Sequence, residues 1–515
     1  MKTILMVVHQ MQFKQGGITS VMLNRSYIFN ELLGYHSNMV TFDSDNDYIK
    51  LEKDFKLSGR LHEKSKIVNL YNYYSDINTE DYDSILDIPR TEIENVLVQD
   101  QFYKSKKFLR YFSFEGDLIR TEYYSADDDL EKEEIYGNDN SLEKINFYRN
   151  NCLFKSLKYI NDVEVEERVF TRDGFCFFLK LNKLGKYNQE HLFLFNRQSK
   201  KAIGFNSRNK LYAHFIEELC VEVKREDNVV ICDGPGSVNK IIAINPNKAL
   251  RFLTIHTNHY LPPYKFGSEI KKDISMTINN AKNVDGVIVL TNEQKDNIVR
   301  QFSSPEKYFV IPNTMKINTE FIKKKTDNKR YINIVSRYAS TKQLDHIIIA
   351  IDKLLAKYQI NRFLLEVNFY GIGSQEEKLK ECVSKYSLND VVSINSYVTD
   401  VEAVFREADI TIMTSTYEGF SMTFLEAMSN KTPVISYDIN YGPRDAVTDG
   451  KDGFLIKLND INGLAKKIYE VLFRDYDELA QISDNAYMKI KTEFSHEHAA
   501  KLWKDLLENK FDTKK

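Results

Sequence analysis

Residues 410–427 read ITIMTSTYEGFSMTFLEA: an apolar run, a polar loop with one glycine, then apolar residues at helical spacing. The run 410–413 reads as a buried strand and the segment opening at Ser421 as a helix. The loop between them therefore sits at the carboxyl end of a strand, where open α/β sheets bind ligands. It places Glu418 in the loop and Glu426 inside the helix. The backbone amides of Ser421, Met422 and Thr423 open that helix, where unpaired N–H groups and the helix dipole favour an anionic phosphate.

The same alternation extends in both directions. Apolar runs at 332–335, 364–370, 391–394 and 434–437 predict further strands with helical segments between them. Gly371 and Gly373 follow one of these strands, but Glu376 stands where a dinucleotide fingerprint needs its third glycine. A nicotinamide site is therefore not supported, and a turn beside a nucleotide is. At the other end of the chain a strand at 4–8, the pair Gly16-Gly17 and a helix over 18–33 form a strand, glycine loop and helix opening. Strands at 228–232, 252–255 and 284–290 continue that unit. Between them, residues 96–205 alternate at strand spacing and are punctuated by turn pairs such as Asn161-Asp162 and Asp173-Gly174, which predicts an antiparallel β-rich insertion. The fold class is α/β, with two doubly wound domains. The first covers 1–95 and 206–315, the insertion 96–205, the second 316–492, and a closing helix 493–515 packs back on the body.

The bulk properties bound the function. A chain of 515 residues exceeds one core, and 42% hydrophobic with 28% charged residues is globular composition. A net charge of -3 gives no global basic field for nucleic acid. Five scattered cysteines argue against a disulfide framework or a zinc site and fit a reducing, cytoplasmic setting. The apolar run near the N-terminus is too short for a signal-peptide core or a membrane span. The Asp43, Asp45, Asp47 series lacks the glycine and closing glutamate of a calcium loop and reads as a solvated turn.

Arg337 and Lys342 follow the first strand of the second domain, within reach of a bound diphosphate. A fixed guanidinium and ammonium would stabilise the charge that builds on a departing diphosphate and could replace a metal. Each element also has an ordinary reading: Glu418 as a cap, Glu426 as a solvated helix residue, and the basic pair as surface charge of little energetic weight.

Taken together, Glu418, Glu426, Arg337, Lys342, Gly16-Gly17 and the Ile311-Pro312-Asn313 run resemble family-four retaining GT-B glycosyltransferases. The insertion, with residues 232–237 (CDGPGS) and 256–259 (HTNH), resembles the bacterial wall teichoic acid α-glycosyltransferases. The resemblance implies backbone contact of Gly17 with the diphosphate, Arg337 and Lys342 on phosphates, Glu418 on donor sugar hydroxyls and Glu426 on ribose. It places His256, a strand-end histidine, beside the donor sugar as a catalytic residue, and Gly16, Asn313 and Gly371 along the donor site. It implies a UDP-glucose or UDP-N-acetylglucosamine donor, no further cofactor or metal, and front-face transfer with retention. The acceptor would be an anionic poly(polyol phosphate) assembled at the inner face of the membrane. The same resemblance implies a homo-oligomer, a trimer built through the insertion. A local basic path would suit such an acceptor, with Lys104, Lys106 and Lys107, Lys200 and Lys201, and Lys323 to Lys325 as candidates. Three other readings keep the fold: an O-glycosyltransferase of Ser/Thr-rich surface proteins, a catalytically silent binding or chaperone subunit, and a nucleotide-sugar epimerase, which would need acid-base groups at the sugar.

Overall fold

The computed structural model describes residues 1–13, 17–80, 96–103, 106–137, 139–182, 190–317 and 328–509. Parallel strands covered on both faces tolerate almost no polar residue, and Thr3–Val7, Asn228–Cys232, Leu250–Ile255 and Gly286–Val289 are buried at every position. They belong to one parallel sheet of seven strands in the order Tyr308–Val310, Gly286–Val289, Leu250–Ile255, Asn228–Cys232, Thr3–Val7, His36–Thr41, Ile67–Asn69. The chain starts at Thr3–Val7, winds outward to Ile67–Asn69, then returns through Asn228–Cys232 on the other side. The order reverses between Thr3–Val7 and Asn228–Cys232, so the loops beyond Val7 and Cys232 border the crevice where such sheets bind ligands.

The second unit repeats this logic. Three strands in the order Val392–Asn395, Leu365–Tyr370, Arg330–Val335 meet three more in the order Thr411–Met413, Val434–Asp438, Gly453–Lys457. A parallel bridge between Ile332 and Ile410 joins the two sets into one layer. Its order reverses between Arg330–Val335 and Thr411–Met413, so the segments leaving these strands, 336–342 and 414–418, lie side by side. The strand Gly453–Lys457, absent from the sequence reading, closes the layer.

Ten consecutive antiparallel strands, from Leu97–Tyr103 to Lys201–Phe205, make the insertion. Asn161 and Asp162 both take positive φ between Cys152–Ile160 and Val163–Phe170, the conformation a two-residue hairpin needs. The turn at residues 43–47 is not merely solvated. Asp47 caps the helix Tyr48–Leu57, Lys155 of the insertion binds Ser44 Oγ and Asp45 Oδ1 at 3.0 Å each, and Arg149 donates to the Ser44 carbonyl. The turn is a joint between the insertion and the first sheet.

The last described segment crosses back to the first unit. Met315 and Ser495 pair in parallel where the two chain crossings run side by side. The helix His496–Lys504 then seats Trp503, 1% exposed, edge-on against Phe29 at 5.2 Å and under the Arg25 guanidinium at 5.3 Å. Among the described residues no helix is long and apolar enough to cross a membrane.

Two imidazoles are buried where the units meet, His496 at the start of this helix and His259 against Tyr441 of the second unit. Burial pushes His496 down to about 4 and His259 down to about 3. Both stay neutral in the folded chain while the unfolded chain protonates them near 6.5, so their contribution is complete above 6.5 and is lost as pH falls toward 4. From pH 7 to pH 5 each should cost about 2 kcal/mol. Denaturant unfolding of wild type and His496→Gln across that range checks this: the variant should lose less stability on acidification than wild type.

Candidate active site

The loop carrying Glu418 is zipped to the segment carrying Lys342. Thr414 Oγ1 donates to the Lys342 and Gln343 carbonyls at 2.8 and 2.9 Å, and the Thr416 amide donates to Thr341 at 2.9 Å. Lys342 Nζ consequently meets Glu418 Oε1 in an ion pair, both side chains 16% exposed, and Ser415 Oγ donates to the same oxygen at 2.7 Å. The sequence reading put both residues on the donor but did not foresee that they pair with each other. Arg337 is exposed at the rim, close enough for its charge to act on Tyr417.

Gly371 and Gly373 shape this neighbourhood through packing. A Cβ on Gly371 would overlap the Ser336 carbonyl oxygen, and one on Gly373 the Tyr338 carbonyl oxygen. Their first task is to let the Arg337 segment lie flat against the neighbouring strand's exit, since Tyr338 N–H donates to the Ile372 carbonyl at 2.9 Å.

Beyond Glu418, Ser421 caps the helix Met422–Ser429 and its Oγ accepts from the Thr423 amide at 3.2 Å. The Thr423 amide is thus satisfied within the chain, which narrows the amide set expected to face a phosphate. Glu426 lies further along this helix, partly buried, and burial pushes its carboxyl up to about 7 against the opposing charge of Arg60. Arg60 belongs to the first unit, where it stacks on Phe13 and Phe55 and donates to the Phe13 carbonyl at 2.8 Å. Gly17 has φ 61, a conformation that favours glycine, at the start of the helix Ile18–Tyr27. Gly16 lies outside the described residues. Asn313 is buried and donates to the Phe420 carbonyl at 2.9 Å, so it braces the Glu418 loop from the first unit.

His256 leaves the strand Leu250–Ile255 and its Nε2 lies 2.9 Å from Asp233 Oδ1. Arg25 Nη1 lies 2.5 Å from the same oxygen, with Arg25 6% and Asp233 0% exposed. Burial opposes ionisation of Asp233, and the charge of Arg25 and the contact with His256 outweigh it and hold the carboxyl low. An ionised Asp233 requires the His256 proton on Nε2, which leaves Nδ1 as an acceptor, and that atom is buried with no hydrogen-bond partner among the described residues. Burial also lowers the His256 pKa and keeps the ring neutral. Sequence reading missed the Arg25–Asp233–His256 chain. The signals available were that Asp233 and His256 each directly follow an apolar strand and stand in the segments 232–237 and 256–259.

The two units touch at the same point. A Cβ on Gly419 would overlap the His256 carbonyl oxygen, so Glu418 is carried onto the end of the first sheet by the residue after it. Asn258 Nδ2 donates to the Asn440 carbonyl at 2.9 Å, Asn297 Nδ2 to Tyr441 Oη at 3.0 Å, and His259 stacks on Tyr441 with centroids 5.7 Å apart. The loop 441–444 belongs to this contact surface. His496 and His498 form no metal site: His496 is buried in the return helix, and no group of three or more His, Cys, Asp or Glu suited to a metal occurs among the described residues.

Two sheets whose order reversals face each other across a cleft, with a basic pair and two glutamates on one wall and a buried histidine on the other, define a glycosyltransferase of the GT-B fold. Residues 315–489 match the family of glycosyl transferases group 1. Along its length the chain is similar to the poly(ribitol-phosphate) alpha-N-acetylglucosaminyltransferase of Staphylococcus aureus, at 28% identity over 98% of this chain and 99% of that one. It is also similar to the poly(glycerol-phosphate) alpha-glucosyltransferase of Bacillus subtilis, at 24% identity over 95% of this chain and 72% of that one. The crystal structure of a mutant of S. aureus TarM in complex with fondaparinux, alpha-GlcNAc-glycerol and UDP superposes with a TM-score of 0.86 at 26% identity, covering 98% of this chain and 100% of that one.

Gly419→Ala should separate the two walls without unfolding either unit. A displacement of about 1 Å at a reacting centre costs roughly a hundredfold in rate. Donor turnover should fall by that order while far-UV circular dichroism stays unchanged.

Proposed function

We propose that the protein transfers glucose or N-acetylglucosamine from a UDP-sugar, with retention, onto hydroxyls of a poly(polyol phosphate) of the wall teichoic acid type. The observation that carries this reading is the conjunction at Gly419, which sets Glu418 and its lysine partner against the His256 strand end within a chain similar throughout to enzymes of that chemistry.

The donor diphosphate takes Lys342 and Arg337 and the N-terminus of the helix Met422–Ser429, and Glu426 takes the ribose diol. When Lys342 turns to phosphate it releases Glu418, which then accepts hydrogen bonds from the sugar hydroxyls. His256 Nδ1 accepts a further sugar hydroxyl from the opposite wall. The bond from the anomeric carbon to the phosphate oxygen breaks, and negative charge collects on UDP beside two cations, which stabilise the transition state more than the ground state. The acceptor oxygen bonds to the same face of that carbon, and its proton passes to the departing phosphate oxygen. The cations fill the part a metal plays elsewhere.

The ten-stranded insertion extends the acceptor side, and its edge strand Lys201–Phe205, exposed along most of its length, supports assembly into a homo-oligomer, a trimer in this reading. In this reading the acceptor polymer grows at the inner membrane face, and the protein acts there from the cytoplasm.

Incubation with UDP-glucose or UDP-N-acetylglucosamine, poly(glycerol phosphate) or poly(ribitol phosphate), and EDTA should yield UDP and sugar on the polymer. Glu418→Ala should lower transfer by roughly a hundredfold or more. UDP binding without transfer to either polymer contradicts the acceptor, and loss of activity in EDTA contradicts the metal-free chemistry.

A further inference from the structure

Beyond His256 the chain turns back on itself: Tyr260 pairs with Ile270, the Leu261 amide donates to the Glu269 carbonyl at 2.7 Å, and the Lys271 amide to the His259 carbonyl at 2.9 Å. The tip of this hairpin carries Tyr264 across the cleft. Its ring centroid lies 4.3 Å from that of Tyr417, the residue before Glu418, and Asn258 pins the tip by donating to the Tyr264 carbonyl at 3.0 Å. Lys271 Nζ lies 3.9 Å from the centre of the Tyr417 ring and 5.7 Å from that of Tyr264.

Lys271 is half-buried on these two rings and makes no ion pair among the described residues; Asp273 acts on it only at longer range. A desolvated ammonium resting on aromatic faces has shed part of its hydration without gaining an anion. Such a group is poised for one. The donor does not need it, because Lys342, Arg337 and the helix N-terminus come from the second sheet, whereas Lys271 comes from the first. It rests on the ring of Tyr417, the residue that directly precedes Glu418.

We infer that Lys271, held on the Tyr417 ring, binds the phosphate that flanks the acceptor polyol and so sets which hydroxyl faces the donor sugar. This rests on the polymer reading above. In a repeating polyol phosphate every acceptor hydroxyl has an anionic neighbour within one unit. Tyr264 and Tyr417 offer apolar faces with polar edges for the intervening carbon chain. In the sequence Lys271 stands only in the short run Lys271-Lys272-Asp273, which does not mark it as a site. Of the lysine runs that drew attention there, Lys107 is paired with Asp128 at 3.0 Å, and Lys104 and Lys323 to Lys325 lie outside the described residues.

The test compares wild type, Lys271→Gln and Lys271→Arg on poly(ribitol phosphate) or poly(glycerol phosphate), and on free ribitol or glycerol, which carry no phosphate. Lys271→Gln should raise the KM for polymer about tenfold and change transfer to the free polyol by less than about twofold, the scale of one lost charge-assisted contact. Lys271→Arg should recover most of the polymer KM. An unchanged polymer KM, or an equal loss on charged and uncharged acceptors, overturns the inference and reduces Lys271 to a brace for Tyr417. Failure of the wild type on every polymer overturns the polymer reading and this inference with it.

Discussion

Everything at the centre of this molecule depends on how closely Gly419 approaches the His256 carbonyl oxygen. Each sheet on its own provides half a site at its order reversal. The first has a buried histidine oriented by Asp233, and the second has a lysine and glutamate zipped together by threonine side chains. Only a residue without a side chain lets the two halves meet, and the hydrogen bonds of Asn258, Asn297 and Asn313 hold them there. Aromatic contacts add to them, His259 on Tyr441 and Tyr264 on Tyr417.

Charge is handled differently on the two walls. On the first, Asp233 is fully buried and compensated by Arg25, so the pair serves to fix one imidazole rather than to add stability; breaking it would strand a buried charge. On the second, Lys342 and Glu418 compensate each other at partial exposure, a pairing an incoming diphosphate can replace at modest cost. In the proposed mechanism these two charges stay mutually neutral until the donor arrives, so that no uncompensated carboxylate is held in the cleft.

The sequence made the two sheets legible where strands are buried on both faces, because there an unbroken apolar run is physically required, as in 228–232 and 434–437. It missed His36–Thr41, which opens on three polar residues, Ile67–Asn69 and Tyr308–Val310, which are too short to show a period, and Gly453–Lys457. The insertion was legible through its alternation and turn pairs. Glu418 and Glu426 stood out because strand, loop and helix are local in sequence. Arg25, Asp233 and His256 did not stand out together, since their meeting spans 208 and 23 residues and depends on strand order. Lys271 was invisible for the same reason: its role comes from a ring across the cleft.

The central claim is that the donor opens the Lys342–Glu418 pair, phosphate taking the lysine and sugar the glutamate. Calorimetric titration of UDP and of the intact UDP-sugar into wild type, Lys342→Ala and Glu418→Gln tests it most directly. The account predicts that Lys342→Ala weakens both ligands, whereas Glu418→Gln binds UDP at least as tightly as wild type and loses only the added affinity of the sugar. Equal weakening of UDP by both substitutions would contradict it, because Glu418 would then serve the nucleotide and not the sugar.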